Sequence, residues 1–575
     1  MEQALGPTLA DRGIEELERR MRGAFFTPPT WAARAQLALD QALGPSWRSD
    51  SMVWDAACGT GNLTRSGDFA NLVLSSLDAS EVALCAAQPG HERALCLVHD
   101  FLAGDGCQEQ LAVVPGHGLS AELSSRLAEA AAAGQRLVFL LNPPYGTAGN
   151  MAKGAAKKAS IARNAVNEEM IRAGLRKPAQ QLYAQFMYRA ACIAEQFGFE
   201  RVTIALFSKP NYMTSPSYEA FRRFWYSRFS FAGGFLFRAS HFDSLSSRWG
   251  VSFVIWNRGK TRPDDMLDLQ LLDLDESGSR VISLGNKRLY SSVGRRAFEW
   301  ARGPAQNSQG DAIQLRSGLS VHEHGGGRSL AGQLGWFNND ANDVYHSAST
   351  VWLQSAGKSS SNHNAGWFLT ADNFLRSLVL FAARKSVKGS WINDKDEFLA
   401  PGQELSAGVA NRTWVQDCLV LAMIDPSNTC CAADGLSYKQ QRYSLRNQLF
   451  WMSALEVLEQ AELQGCLSLA RSARGAGPAQ PHILSLLDEG LFSPQAGAGL
   501  ELLGKLLIGS LAHREEFAEG PGAGLHLGCW DAGLHQLKGL FEARLPAEWQ
   551  QLRELRRSLR DRVRDGVYRV GMLES

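Results

Sequence analysis

Short apolar runs recur along the first 260 positions, and most end on a polar residue that cannot continue them. Leu137–Leu141 is unbroken apolar and reads as a buried strand. The Asn142-Pro143-Pro144-Tyr145-Gly146 that follows must end it, because proline has no amide proton to give a central ladder. Ser51–Asp55, Leu72–Asp78 and Leu95–Asp100 are three earlier strands, each closing on an acid. Helical spacing lies between them. Over 29–43, Trp31, Ala35, Ala38, Leu39 and Ala42 share one face; Thr27 stands where it can cap, proline follows in the first turn, and Gly44-Pro45 stops the helix. An Ala-rich helix is predicted over 120–133, and an amphipathic one begins at Leu182. Arg201–Ser208, Phe235–Phe237 and Trp249–Trp256 are further strands, the last two without a long helix between them. Strands alternating with helices predict a doubly wound, Rossmann-like α/β domain, with its ligand groove along the carboxyl ends of the strands.

Composition narrows the class. At 575 residues the chain is too long for one core. An apolar fraction of 45% and a charged fraction of 20% describe an ordinary globular protein. A formal net charge of +1 gives no global attraction to a polyanion, so nucleic-acid contacts would have to come from local basic patches. The ten cysteines show no Cys-x-x-Cys pair and no metal-ligand spacing, which predicts reduced thiols, a cytoplasmic location and no metal. No run approaches the length of a membrane span, and no leader-like apolar segment opens the chain, so no membrane partner is expected.

The strand ends carry the candidate chemistry. Asp55-Ala56-Ala57-Cys58-Gly59-Thr60-Gly61-Asn62 places an acid and a Gly-x-Gly where a strand opens into a helix, a loop whose backbone amides can approach a ligand. No third glycine completes a dinucleotide fingerprint, and no Gly-Lys-Ser/Thr makes a phosphate grip. Asp78, 23 residues after Asp55, stands where ribose hydroxyls are commonly held. Asn142 and the Pro143 carbonyl offer two acceptors to the hydrogens of an exocyclic amine, and Tyr145 offers a ring to a base drawn out of its duplex. Taken singly, each acid also fits a helix cap or a solvated turn.

In motif order, Phe25-Phe26-Thr27-Pro28-Pro29, then Asp55 to Asn62, then Asn142-Pro143-Pro144-Tyr145, the chain resembles the gamma-class S-adenosylmethionine-dependent N6-adenine DNA methyltransferases over about residues 20–260. The resemblance implies that Phe26, Thr27, Asp55, Ala57, Gly59, Gly61 and Asp78 shape the S-adenosylmethionine pocket, with Thr27 near the methionine end and Asp78 on the ribose. It implies that Asp100 accepts from the adenine amine of the cofactor, with Phe101 beside the ring. It assigns catalysis to Asn142, Pro143, Pro144 and Tyr145. Ala56 stands where the family usually has proline.

Residues 151–178 are basic and read as a lid on DNA, with Lys153, Lys157 and Lys158, and later Lys209, as candidate phosphate contacts. Beyond 260 the character changes. Residues 261–330 read as a mixed linker, whose His322-x-His324 lacks a third ligand, and 331–575 as a partly helical target-recognition region ending in a basic amphipathic helix. A short helical arm is expected over 1–24. Double-stranded DNA is the expected partner. With no nuclease signature, and too little chain ahead of Phe25 for such a domain, restriction or defence would fall to a separate protein. Two rivals stay open: an amino methyltransferase acting on RNA or a protein glutamine, and a DNA-binding or assembly subunit with a silent site.

Overall fold

The computed structural model describes residues 27–103, 118–144, 164–242, 249–262, 265–303, 333–338, 342–355, 366–431 and, with short interruptions, 433–574. The chain forms two compact units, one of Met1–Val293 with Ser390–Asp396, the other of Gly294–Gly389 with Glu397–Glu574.

The first unit is built on one sheet. Its strands are β1 (Ser51–Asp55), β2 (Asn71–Ser76), β3 (Leu95–Val98), β4 (Arg136–Leu141), β5 (Val202–Ser208), β6 (Phe229–Arg238), β7 (Gly250–Arg258), β8 (Leu267–Leu274) and β9 (Val281–Leu289), with α1 (Pro29–Leu43), α2 (Ala79–Ala86), α3 (Ala121–Ala132), α4 (Ala165–Arg172), α5 (Leu182–Gln196) and α6 (Glu219–Tyr226) around them. The order is β3-β2-β1-β4-β5-β7-β6-β8-β9. Strands β3, β2, β1, β4 and β5 run parallel. β7 is reversed between β5 and β6, which suits two strands with no long helix between them. The chain winds outward from β1 to β2 and β3, then returns to β4 on the other side of β1. That reversal opens a crevice beyond the carboxyl ends of β1 and β4, where open α/β sheets take their ligands.

Unbroken apolar strands follow from burial on both faces. Trp54, Leu137, Phe139 and Leu141 enter one core, while Val53, Val138 and Leu140 enter the other. The boundary drawn at 260 falls short, because β8 pairs with β6 and carries β9 with it, so the sheet runs on to Leu289. The mixed pattern of β8 and β9 has a physical cause: at the sheet's end, β8 alternates buried and exposed positions from Leu267 to Gln270, and β9 faces solvent from Ser283 to Asn286.

The second unit has a three-stranded antiparallel sheet of β10 (Gly335–Asn338), β11 (Trp352–Gln354) and β12 (Gly366–Leu369) and a hairpin of β13 (Ala433–Tyr438) and β14 (Gln441–Leu445). Its longer helices are α7 (Phe374–Ser386), α8 (Gly408–Ile424), α9 (Ala454–Leu463), α10 (Pro494–Ser510), α11 (Leu534–Arg544) and α12 (Pro546–Arg569). α7, α8, α10 and α12 pack on one another. α8 is buried from Trp414 to Ile424, which explains its lack of an amphipathic stripe. No described helix is long and apolar enough to cross a membrane. The expected arm over 1–24, the basic residues up to 163 and His322-x-His324 lie outside the described residues.

Candidate active site at the carboxyl edge of the sheet

The four polar strand ends fall on one edge. Asp55 closes β1, Asp78 and Asp100 stand two residues beyond β2 and β3, and Asn142 directly follows β4. These four strands are adjacent in the sheet. Residues 87 positions apart in sequence, Asp55 and Asn142, therefore stand on neighbouring strands.

Hydrogen bonds join the three motifs. The Asn142 Nδ2 donates to the Thr27 Oγ1 at 3.0 Å. The Asn62 Nδ2 donates to the Thr27 carbonyl at 3.1 Å. Thr27 is buried, so neither bond competes freely with water. Helix α1, which begins two residues after Thr27, fixes it from behind. Its Gln36 Nε2 donates to the Leu63 carbonyl at 2.7 Å and its Oε1 accepts from Arg48 at 3.0 Å, while Asp40 pairs with Arg48 at 2.5 Å. Trp31 stacks on Phe237 of β6 with ring centres 3.9 Å apart, anchoring the helix to the sheet.

The loop after β1 has the backbone of a ligand cradle. Gly59 and Gly61 have φ of 51° and 83°, a region that side chains resist. Asp55 is wholly buried; its Oδ1 accepts from the Ala57 amide at 3.2 Å, and its Oδ2 has no hydrogen-bond partner among the described residues. Burial holds its carboxyl well above the usual range; the nearby Cys85 adds to this, and the Ala57 amide and His91 oppose it. A buried carboxylate oxygen in this state calls for a donor from a ligand.

Beneath the loop lies a group that the pattern along the chain does not announce. The Cys58 Sγ donates to the Gly59 carbonyl at 3.6 Å; its influence on Cys85 lowers the Cys85 pKa to about 6 against the opposing effect of burial, and His91 helps. The Cys85 Sγ is 3.8 Å from His91 Nδ1, and His91 Nε2 is 3.0 Å from the Thr64 hydroxyl. These side chains fill the space behind Gly61: a Cβ there would lie 2.6 Å from His91 Cε1 and 2.7 Å from Cys85 Sγ. Asn62, Gln36 and Arg48 likewise had no assigned role. Asn62 carried a signal, since it directly follows the Gly-x-Gly; the others carried none.

The remaining sites divide. Asp78 caps α2, its Oδ1 accepting from the Ser80 amide at 2.9 Å and the Ser80 hydroxyl at 2.6 Å. Exposed Asp100 makes a local turn with the Leu102 amide at 2.9 Å. Phe101 is buried in the core, with its ring 5.0 Å from Phe186 and 5.2 Å from Trp54. Pro143 is buried, and Pro144 and Ala57 are half-buried. Lys209 follows β5 and sits half-buried with its ammonium 4.6 Å from the ring centre of Trp249; burial lowers its pKa, and Lys395 adds to this. Lys209 is thus packed on a ring, unlike a solvated phosphate contact. Phe26, Tyr145, Lys153, Lys157 and Lys158 lie outside the described residues.

No protein-family model and no curated protein matches the chain. Among solved structures, it is similar to the DrdV–DNA complex, at 14% identity and a TM-score of 0.31, over 46% of this chain and 28% of the other. The type IIG restriction endonuclease BpuSI aligns at 15% identity and 0.29, over 45% and 28%. The methyltransferase subunit of a type I restriction-modification system from Streptococcus thermophilus aligns at 16% and 0.26, over 45% and 50%. Each comparison spans less than two thirds of the other chain, at a similarity too distant to bear on the site.

Proposed function

We propose that the chain is a DNA methyltransferase that transfers a methyl group from S-adenosylmethionine to the N6 amine of an adenine turned out of duplex DNA. The observation that carries the reading is the hydrogen-bonded joint of Thr27 with Asn142 and Asn62, at 3.0 and 3.1 Å. Three segments far apart in the chain meet at the crevice that the strand order opens, and they are the three that carry the resemblance. The residues fit the cofactor: the left-handed backbone at Gly59 and Gly61 keeps those positions free of Cβ atoms where a ligand would approach, and Asp55 offers a buried, unpartnered carboxyl oxygen. Asp78 would hold the ribose from its place at the head of α2. When bound, S-adenosylmethionine supplies a methyl group already activated by its sulfonium.

The protein's own task is then placement. The adenine amine is a weak nucleophile because its lone pair is drawn into the ring. The Asn142 amide oxygen and the Pro143 carbonyl accept its two hydrogens and turn the nitrogen lone pair towards the methyl. The bond from Asn142 Nδ2 to Thr27 leaves the amide oxygen as the end that receives the amine. Pro143 holds its carbonyl on a backbone with little freedom. Tyr145 stacks on the base. The second unit holds and reads the duplex.

The test is transfer from methyl-labelled S-adenosylmethionine to duplex DNA, with digestion to nucleosides and mass analysis. N6-methyladenine is the expected product. Label in cytosine, in RNA or in a protein glutamine overturns the assignment, as does failure to bind the cofactor by calorimetry.

A further inference from the structure

Helix α12 carries seven arginines in 24 residues, and its apolar face is committed: Trp549, Leu552, Leu559 and Val563 are buried within the second unit. That commitment fixes the helix's rotation. Arg553, Arg556, Arg557 and Arg560 recur at intervals of three and four and so form one stripe along it. Arg553 and Arg557 are exposed, and Arg556 and Arg560 are half-buried.

The stripe works against itself. Like charges three and four apart weaken a helix. The main charges around Arg556 are Asp425, which favours its charged form, and Arg560, Arg553 and Arg557, which oppose it; burial opposes it most. Asp425 is itself buried and engaged by the Arg560 guanidinium. Elsewhere on the helix the arginines are matched: Arg562 meets Asp417 at 3.3 Å, and Arg564 meets Asp561 at 2.8 Å. Among the described residues Arg553, Arg556 and Arg557 form no ion pair, next to arginines that are matched, and an anion from outside would complete the stripe.

We propose that this stripe is a binding site for the phosphodiester backbone of duplex DNA, a role that rests on DNA being the substrate. From Arg553 to Arg560 the helix rises about 10 Å, at 1.5 Å per residue. One strand of duplex rises about 10 Å over three nucleotides. Arg553 and the Arg556–Arg557 pair therefore meet successive phosphates, with Arg560, already bonded to Asp425, at the end of the row, and arginine suits them because its planar fork engages two oxygens at once. The contacts set position and affinity and carry no base sequence.

The test uses the full chain and a labelled duplex, with affinity measured by anisotropy across a salt series. In R553Q/R556Q/R557Q, the slope of log affinity against log salt should fall by about 2–3, at about 0.9 per phosphate contact. Between about 50 and 200 mM salt, the parent should lose about thirtyfold more affinity than the variant. The R553Q/R557Q pair, exposed on the surface, should lose part of the slope with an unchanged circular dichroism spectrum. K505Q removes an exposed lysine paired with Glu501 on α10 and should match the parent. A parent that binds and methylates duplex, alongside a triple variant with parental slope, overturns the stripe alone. A parent that binds no duplex overturns the stripe together with the proposed activity. Stronger competition by polyglutamate than by duplex of equal charge assigns the stripe to an acidic protein and also overturns it.

Discussion

The two units set their polar residues out differently, although the first also buries a few charged groups such as Arg222 and Lys287. In the first, Asp55, Asp78, Asp100 and Asn142 stand at the ends of four adjacent strands, where the topology delivers them to one edge. In the second, charged groups are folded into the helix packing. Arg384 and Lys385 are buried at 0% and 7% exposure near the end of α7, and Asp417 receives both the Ser493 hydroxyl and Arg562. A polar residue closing an apolar strand is therefore a pointer to an edge, whereas one inside a helical unit often serves its neighbours. The basic residues over 384–388 illustrate this: read along the chain they resemble a base-reading surface, yet Arg384 and Lys385 belong to the interior.

The contrast breaks most sharply at Asn142. If the first unit's edge is a catalytic site, Asn142→Ala removes a group that acts on the reacting amine, together with its bond to Thr27. Transfer to duplex should fall about a thousandfold or more, on the scale seen when a preorganised polar group is deleted. Cofactor affinity by calorimetry should stay within error of the parent, while the melting temperature should fall slightly because the buried Thr27 hydroxyl loses its partner. Activity within tenfold of the parent would mean that the edge is ordinary surface. Next in size is Gly61→Ala, which tests the cradle instead of the chemistry. The left-handed backbone costs about 1–2 kcal/mol for alanine, and the crowding against His91 and Cys85 adds about 1–3 kcal/mol. Both melting temperature and cofactor affinity should drop. A variant as stable as the parent would show that the thiol–imidazole group yields easily.

In the second unit the corresponding test is stability against pH. Glu397 is buried and accepts from the Asn342 Nδ2 at 2.9 Å. Burial pushes its pKa up to about 7 against the help of Asn342. A carboxyl raised in the folded state contributes stability that is whole below the unfolded value of about 4.3 and is lost as pH rises through about 7. Parent stability should therefore decline by about 3 kcal/mol between those limits, and Glu397→Gln should flatten that decline. Parallel urea melts at pH 5 and 8 would decide it. An equal slope in parent and variant would place the linkage elsewhere.

Much of the first unit was legible along the chain because a sheet covered on both faces demands unbroken apolar strands, and their interruptions mark the edge. Helix α1 was readable in its extent, Pro29 to Leu43 with Gly44 after it, but not in its cap: Pro28 holds that place without a side-chain bond, and the Thr27 hydroxyl expected to cap it is taken up by Asn142. The extension through β8 and β9 was less plain, because strands with runs of solvent-facing positions resemble a surface loop. In the second unit the helix over α8 has no stripe to read, since it is buried on all sides. The Cys58–Cys85–His91 group was invisible for another reason: it is assembled by packing between a loop and α2, and no spacing rule foretells that. Asp78 shows the converse limit, since its capping bond to Ser80 and a ribose contact leave the same mark in sequence.

The finest test concerns the joint at Thr27, and it separates a residue that reacts from one that orients. Thr27→Val keeps the volume and the backbone carbonyl that accepts from Asn62, and removes only the oxygen that accepts from Asn142 Nδ2. A neutral hydrogen bond contributes about 0.5–1.5 kcal/mol, so kcat should fall about threefold to tenfold. The KM for the cofactor should hold, and Thr27→Ser, which restores the oxygen, should recover most of the rate. If the valine variant were as inactive as Asn142→Ala, Thr27 would have to touch the reacting groups themselves. If it matched the parent, the amide would find its orientation without help from the N-terminal segment. The meeting of the three motifs would then be a matter of packing, and the strongest reason for setting the first unit apart from the second would be gone.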